Sequence, residues 1–257
     1  MDPLNESAKT FQALHKPGKP IVLANVWDIP SAHAVASLPS CKAVASASWA
    51  VAKAAGTEDD DLTLEQNLEA ARKIGKIARQ YNKPFTCDLQ DGYQERLEEA
   101  IEKVIEAGAV GINLEDVNAA DRKQYSQDEA VSRVKRALAA AKKAGVDNFV
   151  VNARCDTLLK GGDLDEVISR GKAYLAAGAT TVFVWGGARG TSKEEVVRMV
   201  KEFDGRLNVS MRLVNGLNVQ ELSEIGVARI SVGPQLLRML MASLAEKADS
   251  ILSQRSR

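Results

Sequence analysis

The sequence predicts a (β/α)8 TIM barrel, and two observations carry that reading. Eight short apolar, β-branched runs recur along the 257 residues, and amphipathic helical patterns separate most of them. No linker or low-complexity segment interrupts the alternation, so one barrel domain over 1–257 is expected. A doubly wound sheet would need fewer strands or a second domain. The runs are "PIVLAN" (20–25), "KAVASAS" (42–48), "PFTCDL" (84–89), "AVGINLE" (109–115), "NFVVNAR" (148–154), "TTVFVWG" (180–186), "LNVSM" (207–211) and "ARISVG" (228–233). Between the second and third, "LTLEQNLEAARKIGKIARQY" spaces its apolar residues three and four apart, with Thr63 as N-cap. "QERLEEAIEKVIEAGA" and "SQDEAVSRVKRALAAAKKAG" share that period, and each closes on a glycine suited to a left-handed cap.

Composition narrows the class. With 45% hydrophobic residues the chain can bury a full core. Lys plus Arg and Asp plus Glu are 34 each, so there is no electrostatic footprint for nucleic acid or an anionic membrane. No apolar run approaches membrane-spanning length, and "MDPLNESAKTFQ" does not read as a signal peptide. Cys41, Cys87 and Cys155 are isolated, without a CxxC pair, and read as small buried apolar residues of a reducing, cytoplasmic compartment. His15 and His33 are the two histidines and lie far apart in sequence, which argues against a His/Cys zinc site and leaves a His-based triad few candidates.

In a barrel of this kind, chemistry collects where the strands end. Read in order, those ends offer Asp28, Ser48, Asp88, the pair Glu115 and Asp116, then Arg154, with Arg212 just beyond the seventh run. Singly, each is an ordinary strand-end residue. Together, carboxylates from runs three and four beside an arginine from run five predict a hard-cation site next to an anion clamp. Carboxylate oxygens suit Mg2+, which keeps several waters and takes few protein ligands. Arg154 offers a planar fork that matches a carboxylate. A metal that chelates a 2-oxo acid would stabilise an enolate as a neighbouring bond breaks. "SVGP" (231–234) reads first as a strand-to-helix turn and second as a phosphate cradle. Trp49 and Trp185 are candidates to line the mouth.

Those residues carry a family resemblance. From "FQALHKPGKPIVLANVWD" through "CDLQDGYQ", "GAVGINLEDV" and "VNARCD" to "ELSEIGVARISVGPQLL", the chain resembles the isocitrate lyase/phosphoenolpyruvate mutase superfamily over nearly its whole length. The resemblance implies a barrel whose last helix is exchanged between subunits of a homodimer or homotetramer. It also implies Mg2+ or Mn2+ and an enolpyruvate-like intermediate. By position, Asp88 would be the direct metal ligand, Glu115 would hold a metal-bound water, and Arg154 would grip the substrate carboxylate. Ala47, Ser48 and Trp49 would present backbone amides and a hydroxyl to the substrate. Asp59, in "GTEDDD", falls on the mobile-loop aspartate that some members need for catalysis; its other reading is a solvated acidic loop.

Two departures bear on activity. The cysteine-dependent lyases carry a Cys and a His in the loop after the strand-four glutamate, and here that loop reads "VNAADRKQYSQDEA". Where the family has a second carboxylate after the metal-binding aspartate, this chain has Gln90, whose oxygen could accept a hydrogen bond from a metal-bound water without adding charge. Three readings follow. The first is a Mg2+-dependent lyase that breaks a C–C bond in a small 2-oxo acid or related carboxylate, as in oxaloacetate decarboxylation. The second is a P–C mutase or hydrolase acting on phosphonopyruvate-like substrates. The third is a barrel that has lost its chemistry.

Overall fold

The structure, a computed structural model, describes residues 3–256. Its strands are β1 (Ile21–Leu23), β2 (Asn25–Val26), β3 (Val44–Ser46), β4 (Phe85–Asp88) and β5 (Ala109–Glu115), then β6 (Val150–Cys155), β7 (Thr181–Val184), β8 (Leu207–Ser210) and β9 (Arg229–Ser231). All pair in parallel, in the order β1-β9-β8-β7-β6-β5-β4-β3-β2. The result is a nearly closed TIM-type barrel, with helices alternating with the strands.

Nine strands arise from eight expected runs because the first run changes partner. β1 pairs with β9 and β2 with β3, with Ala24 between them. Asn25 spans the join with its side chain. It accepts from Val232 N (3.1 Å) and Gly233 N (2.8 Å) and donates to Ser46 O (2.7 Å), so side-chain bonds replace the missing ladder. The same bonds occupy two of the amides in "SVGP" that a phosphate would need. That segment is a turn, with Gly233 at φ 55 and Pro234 leading into the last helix.

The helices are α1 (Pro3–Ala13), α2 (Ile29–Ala36), α3 (Ser48–Ala54), α4 (Leu64–Gln80) and α5 (Leu97–Glu106), then α6 (Gln127–Lys143), α7 (Leu164–Ala176), α8 (Lys193–Glu202), α9 (Val219–Ile225) and α10 (Gln235–Leu252). α4 opens on the expected Thr63 cap, completed by Gln66 as a capping box. α5 and α6 are followed by Gly108 and Gly145, both at positive φ. Asp28 caps α2 through Ser31 N (2.8 Å), which accounts for that strand-end carboxylate without chemistry. None of the described helices is long and apolar enough to cross a membrane.

α10 differs from the rest. Leu237 in its first turn is buried against the cluster of Trp27, Ala47, Val51 and Leu62. Farther along, Met239, Leu240, Met241, Leu244, Ile251 and Leu252 are all exposed.

Candidate active site

The strands' two-residue period decides what points into the barrel. Asp88, Asn113, Asn152 and Thr181 share one register row across β4 to β7. Hydrogen bonds run along that row. Asn113 donates to Asp88 Oδ1 (3.4 Å), Asn152 to Asn113 Oδ1 (2.8 Å) and Thr181 to Asn152 Oδ1 (2.6 Å). From the other side of the barrel, buried Arg229 donates to Asn113 Oδ1 (3.1 Å). A polar floor thus underlies the strand ends and fixes the Asp88 carboxylate. Its second oxygen accepts from Ser48 N at 2.9 Å.

Glu115 and Arg154 stand opposite each other on β5 and β6. Arg154 donates from Nη1 to Glu115 (2.6 Å), and from Nε and Nη2 to Asp156 (2.7 and 2.8 Å). Its guanidinium lies 4.1 Å from the ring centre of Trp185. Two edges of the fork are therefore held by carboxylates, and its plane is backed by Trp185. Of the five N–H groups of an arginine, three are used here, leaving two for a ligand.

Asp88, Asn113 and Arg154 border a cavity of about 650 Å³ that also meets Ala47, Ser48, Trp49, Asp59, Trp185, Arg212 and Arg238. Asp59 reaches it from a single helical turn, Asp59–Asp61, between α3 and α4. Gln90 sits outside this cavity, against a smaller one of about 40 Å³ that Asp59, Glu115 and Arg154 share. Its Nε2 donates to Asp59 O at 2.6 Å and approaches Asp59 Oδ1 at 3.3 Å. So Ser48, Asp88, Arg154 and Arg212 meet at the larger cavity, Glu115 lies at the smaller one with Arg154 on both, and Gln90 turns its amide nitrogen to the loop. Asp116 and Asp91 do not take part. Asp116 binds Tyr174, Gln124 and Asp156 N, and Asp91 binds Tyr125, Gln94 and Tyr93 N, each bracing its own loop.

Charge is the dominant feature. Asp59, Asp88, Glu115 and Asp156 surround one cation, Arg154. Burial, and then the neighbouring carboxylates, push the Glu115 carboxyl well above its ordinary range, with Arg154 working against them. Asp59 is raised first by burial and then by the charge of Asp88. Across the barrel, Arg212 contacts the Arg189 carbonyl and Arg238 stacks on Trp49. Neither has a carboxylate partner among the described residues.

Sequence reasoning missed Asn113 and Asp156. Both were findable, since Asn113 precedes Glu115 by two residues and Asp156 follows Arg154 by two, on the same inward face. Arg238 lies on a helix after the last strand, beyond any strand-end rule.

Such a fold and site define a barrel enzyme that gathers carboxylates and arginines at its strand ends for a small acidic ligand. The chain belongs to the phosphoenolpyruvate phosphomutase family, which matches residues 11–252, within the isocitrate lyase/phosphoenolpyruvate mutase superfamily of lyases and mutases. An uncharacterized protein of Mycobacterium tuberculosis is 31% identical over 250 residues, covering 94% of this chain and 89% of that protein. The phosphonopyruvate hydrolase of Variovorax sp. is 25% identical over 220 residues, covering 78% of this chain and 70% of its own. The oxaloacetate decarboxylase of Rhodopseudomonas palustris is 28% identical over 144 residues, covering 53% of this chain and 49% of its own. Among solved structures, a putative phosphonomutase from Burkholderia cenocepacia superposes with a TM-score of 0.87 at 35% identity, over 96% of this chain and 99% of that one.

Proposed function

We propose that this enzyme breaks a C–C bond next to the oxygen-bearing carbon of a small 2-oxo acid or related carboxylate, through an enolpyruvate-like intermediate. Decarboxylation of oxaloacetate is the simplest member of that class. The observation that carries the reading is that Asp88 and Arg154 border one cavity, with Glu115 bonded to Arg154 beside it.

The acidic wall fits a divalent cation, Mg2+ or Mn2+. Its donors are all oxygen, and its four carboxylates outnumber the single arginine, so a cation would relieve the repulsion that raises Asp59 and Glu115. Among the described residues, no three His, Cys, Asp or Glu side chains close into a cage. Asp88 would hold such an ion directly, and Glu115 and the Gln90 oxygen would accept from its waters. When bound, the cation supplies Lewis acidity that polarises the substrate carbonyl.

The chain's own groups do the rest. Arg154, locked by Glu115, Asp156 and Trp185, aims its two spare N–H groups at the substrate carboxylate. Ala47, Ser48 and Trp49 border the bound acid. Asp59 closes over it from the loop and is the group placed to move a proton at the atom from which the leaving fragment departs. Arg212 and Arg238, unpaired on the opposite wall, fit the second anionic group of a diacid. P–C cleavage is the second reading, favoured by the longer match to the phosphonopyruvate hydrolase.

A panel of oxaloacetate, phosphonopyruvate and substituted malates, supplied with Mg2+ or Mn2+ and followed for pyruvate and its co-product, tests the assignment. Pyruvate with carbon dioxide or a second organic acid supports C–C cleavage, and pyruvate with inorganic phosphate selects P–C. No product from any of them sinks the reading. The exposed apolar residues of α10 further support its exchange between subunits of a homodimer or homotetramer. A monomeric mass by light scattering would refute that.

A further inference from the structure

Gln90 holds an unusual place. Its φ is 51, in the left-handed region that side chains rarely adopt, and the residue is 7% exposed. The backbone is pinned there because its carbonyl accepts from Glu115 N at 2.8 Å. Side-chain direction follows from that conformation, and it sends the amide to Asp59. One acceptor is the Asp59 backbone carbonyl, which can only accept, so the group facing it must be the NH2. A carboxylate at this position would bring no hydrogen and would add a negative charge beside Asp59.

Beside Gln90, the segment around Asp59 has two inner ties: a side-chain hydrogen bond joins Ser48 to the Asp59 carboxylate, and Thr57 N donates to Ala52 O at 3.0 Å. Gly56, at φ 77 with open space around it, begins the segment, and Leu62, 4% exposed, ends it. The Asp59–Asp61 turn buries none of its residues. Its remaining ties are at the surface. Asp60 pairs with exposed Arg122, whose carbonyl accepts from Lys160 (2.6 Å), and Glu58 pairs with Lys53. Exposed ion pairs of this kind contribute little. The bond from Gln90 is partly buried, where a hydrogen bond counts for more than at the open surface.

We propose that Gln90 is a positioning residue: its amide latches the 56–62 loop closed and sets where the Asp59 carboxylate stands in the cavity. The role assigned to Asp59 rests on the function proposed above, whereas the latch rests on the hydrogen bonds alone. An amide in place of an acid thus trades a negative charge near Asp88 for a donor that fastens the loop. The latch also ties the loop to the acidic wall, because the residue that fastens it shares a backbone bond with Glu115.

The test is hydrogen exchange by mass spectrometry on the wild type, Gln90→Glu and Gln90→Gly at one pH near 8. Glycine adopts the left-handed backbone freely, so the fold survives while the amide is gone. Glutamate keeps the shape and loses the donor. Both variants are expected to lose protection in peptides spanning 56–62 by about tenfold, the size of one ordinary hydrogen bond, with β4 and β5 unchanged. On any acid the enzyme turns over, kcat should fall more than KM rises. Unchanged loop exchange in both variants overturns the latch. So does protection lost evenly across the barrel, which would mark a merely structural residue. If no acid is turned over, the exchange result still decides the latch, and only the functional assignment fails.

Discussion

Replacing Arg154 by lysine removes the fork and keeps the charge. In the wild type the guanidinium donates to Glu115 once and to Asp156 twice, at 2.6 to 2.8 Å, with both carboxylates largely shielded. A lysine has three donors on one nitrogen and cannot span two carboxylates and a substrate together. If one charge-assisted bond to the substrate is lost, transition-state binding falls by about 1.5–3 kcal/mol, or about 10- to 150-fold in kcat/KM. The effect should appear mainly in KM if Arg154 grips substrate and transition state equally. Folding stability should also drop, by about 1–3 kcal/mol, because Glu115 and Asp156 are left buried with a poorer partner. Steady-state kinetics on the identified acid and urea denaturation measure the two effects. A kcat/KM within about twofold of wild type would remove Arg154 from the substrate site.

Three further outcomes are expected. Cys41→Ser, Cys87→Ser and Cys155→Ser, made singly, should leave kcat largely intact, because burial holds all three thiols protonated, Cys87 up to about 12; loss of kcat in a well-folded variant would show a thiol at work. His15 is pulled down to about 3 by burial and by Arg229, so its neutral form is the folded one. The unfolded chain takes up this proton first, so stability is whole above about pH 6.5 and is lost as pH falls towards about 3, at up to about 1.4 kcal/mol per pH unit. His15→Gln should flatten the urea-midpoint profile between pH 6.5 and 4, and an identical profile would contradict this assignment. Asn113→Leu should weaken Mg2+ binding by calorimetry, since it removes the donor that steadies Asp88 and strands Arg229; unchanged affinity would make the polar floor a packing device.

The alternation of short β-branched runs with amphipathic stretches was enough to read the barrel, because buried parallel strands and half-buried helices impose different periods. Thr63 and the two closing glycines were legible for a local reason, since caps depend on residues adjacent in sequence. The break at Ala24 was not, since a strand's change of partner is decided by barrel closure. Asp88, Glu115 and Arg154 could be picked out as strand ends, but their number said nothing of charge balance. Asp156 turns Arg154 from a free fork into a held one, and that pairing appears only when β5 and β6 lie side by side. In sequence, Gln90 is legible only as a neighbour of the Asp88 segment. Its neighbour in space is Asp59, brought there by a loop some thirty residues earlier.

The acidic wall, and Asp88 in particular, is central to the proposed chemistry. The direct measurement is pyruvate release by chelator-stripped enzyme before and after Mg2+ is restored, alongside Asp88→Ala, on whichever acid the panel identifies. Release should vanish on stripping, return with Mg2+, and stay absent in Asp88→Ala at every Mg2+ concentration. Full turnover by the stripped wild type, or by Asp88→Ala, would contradict the account.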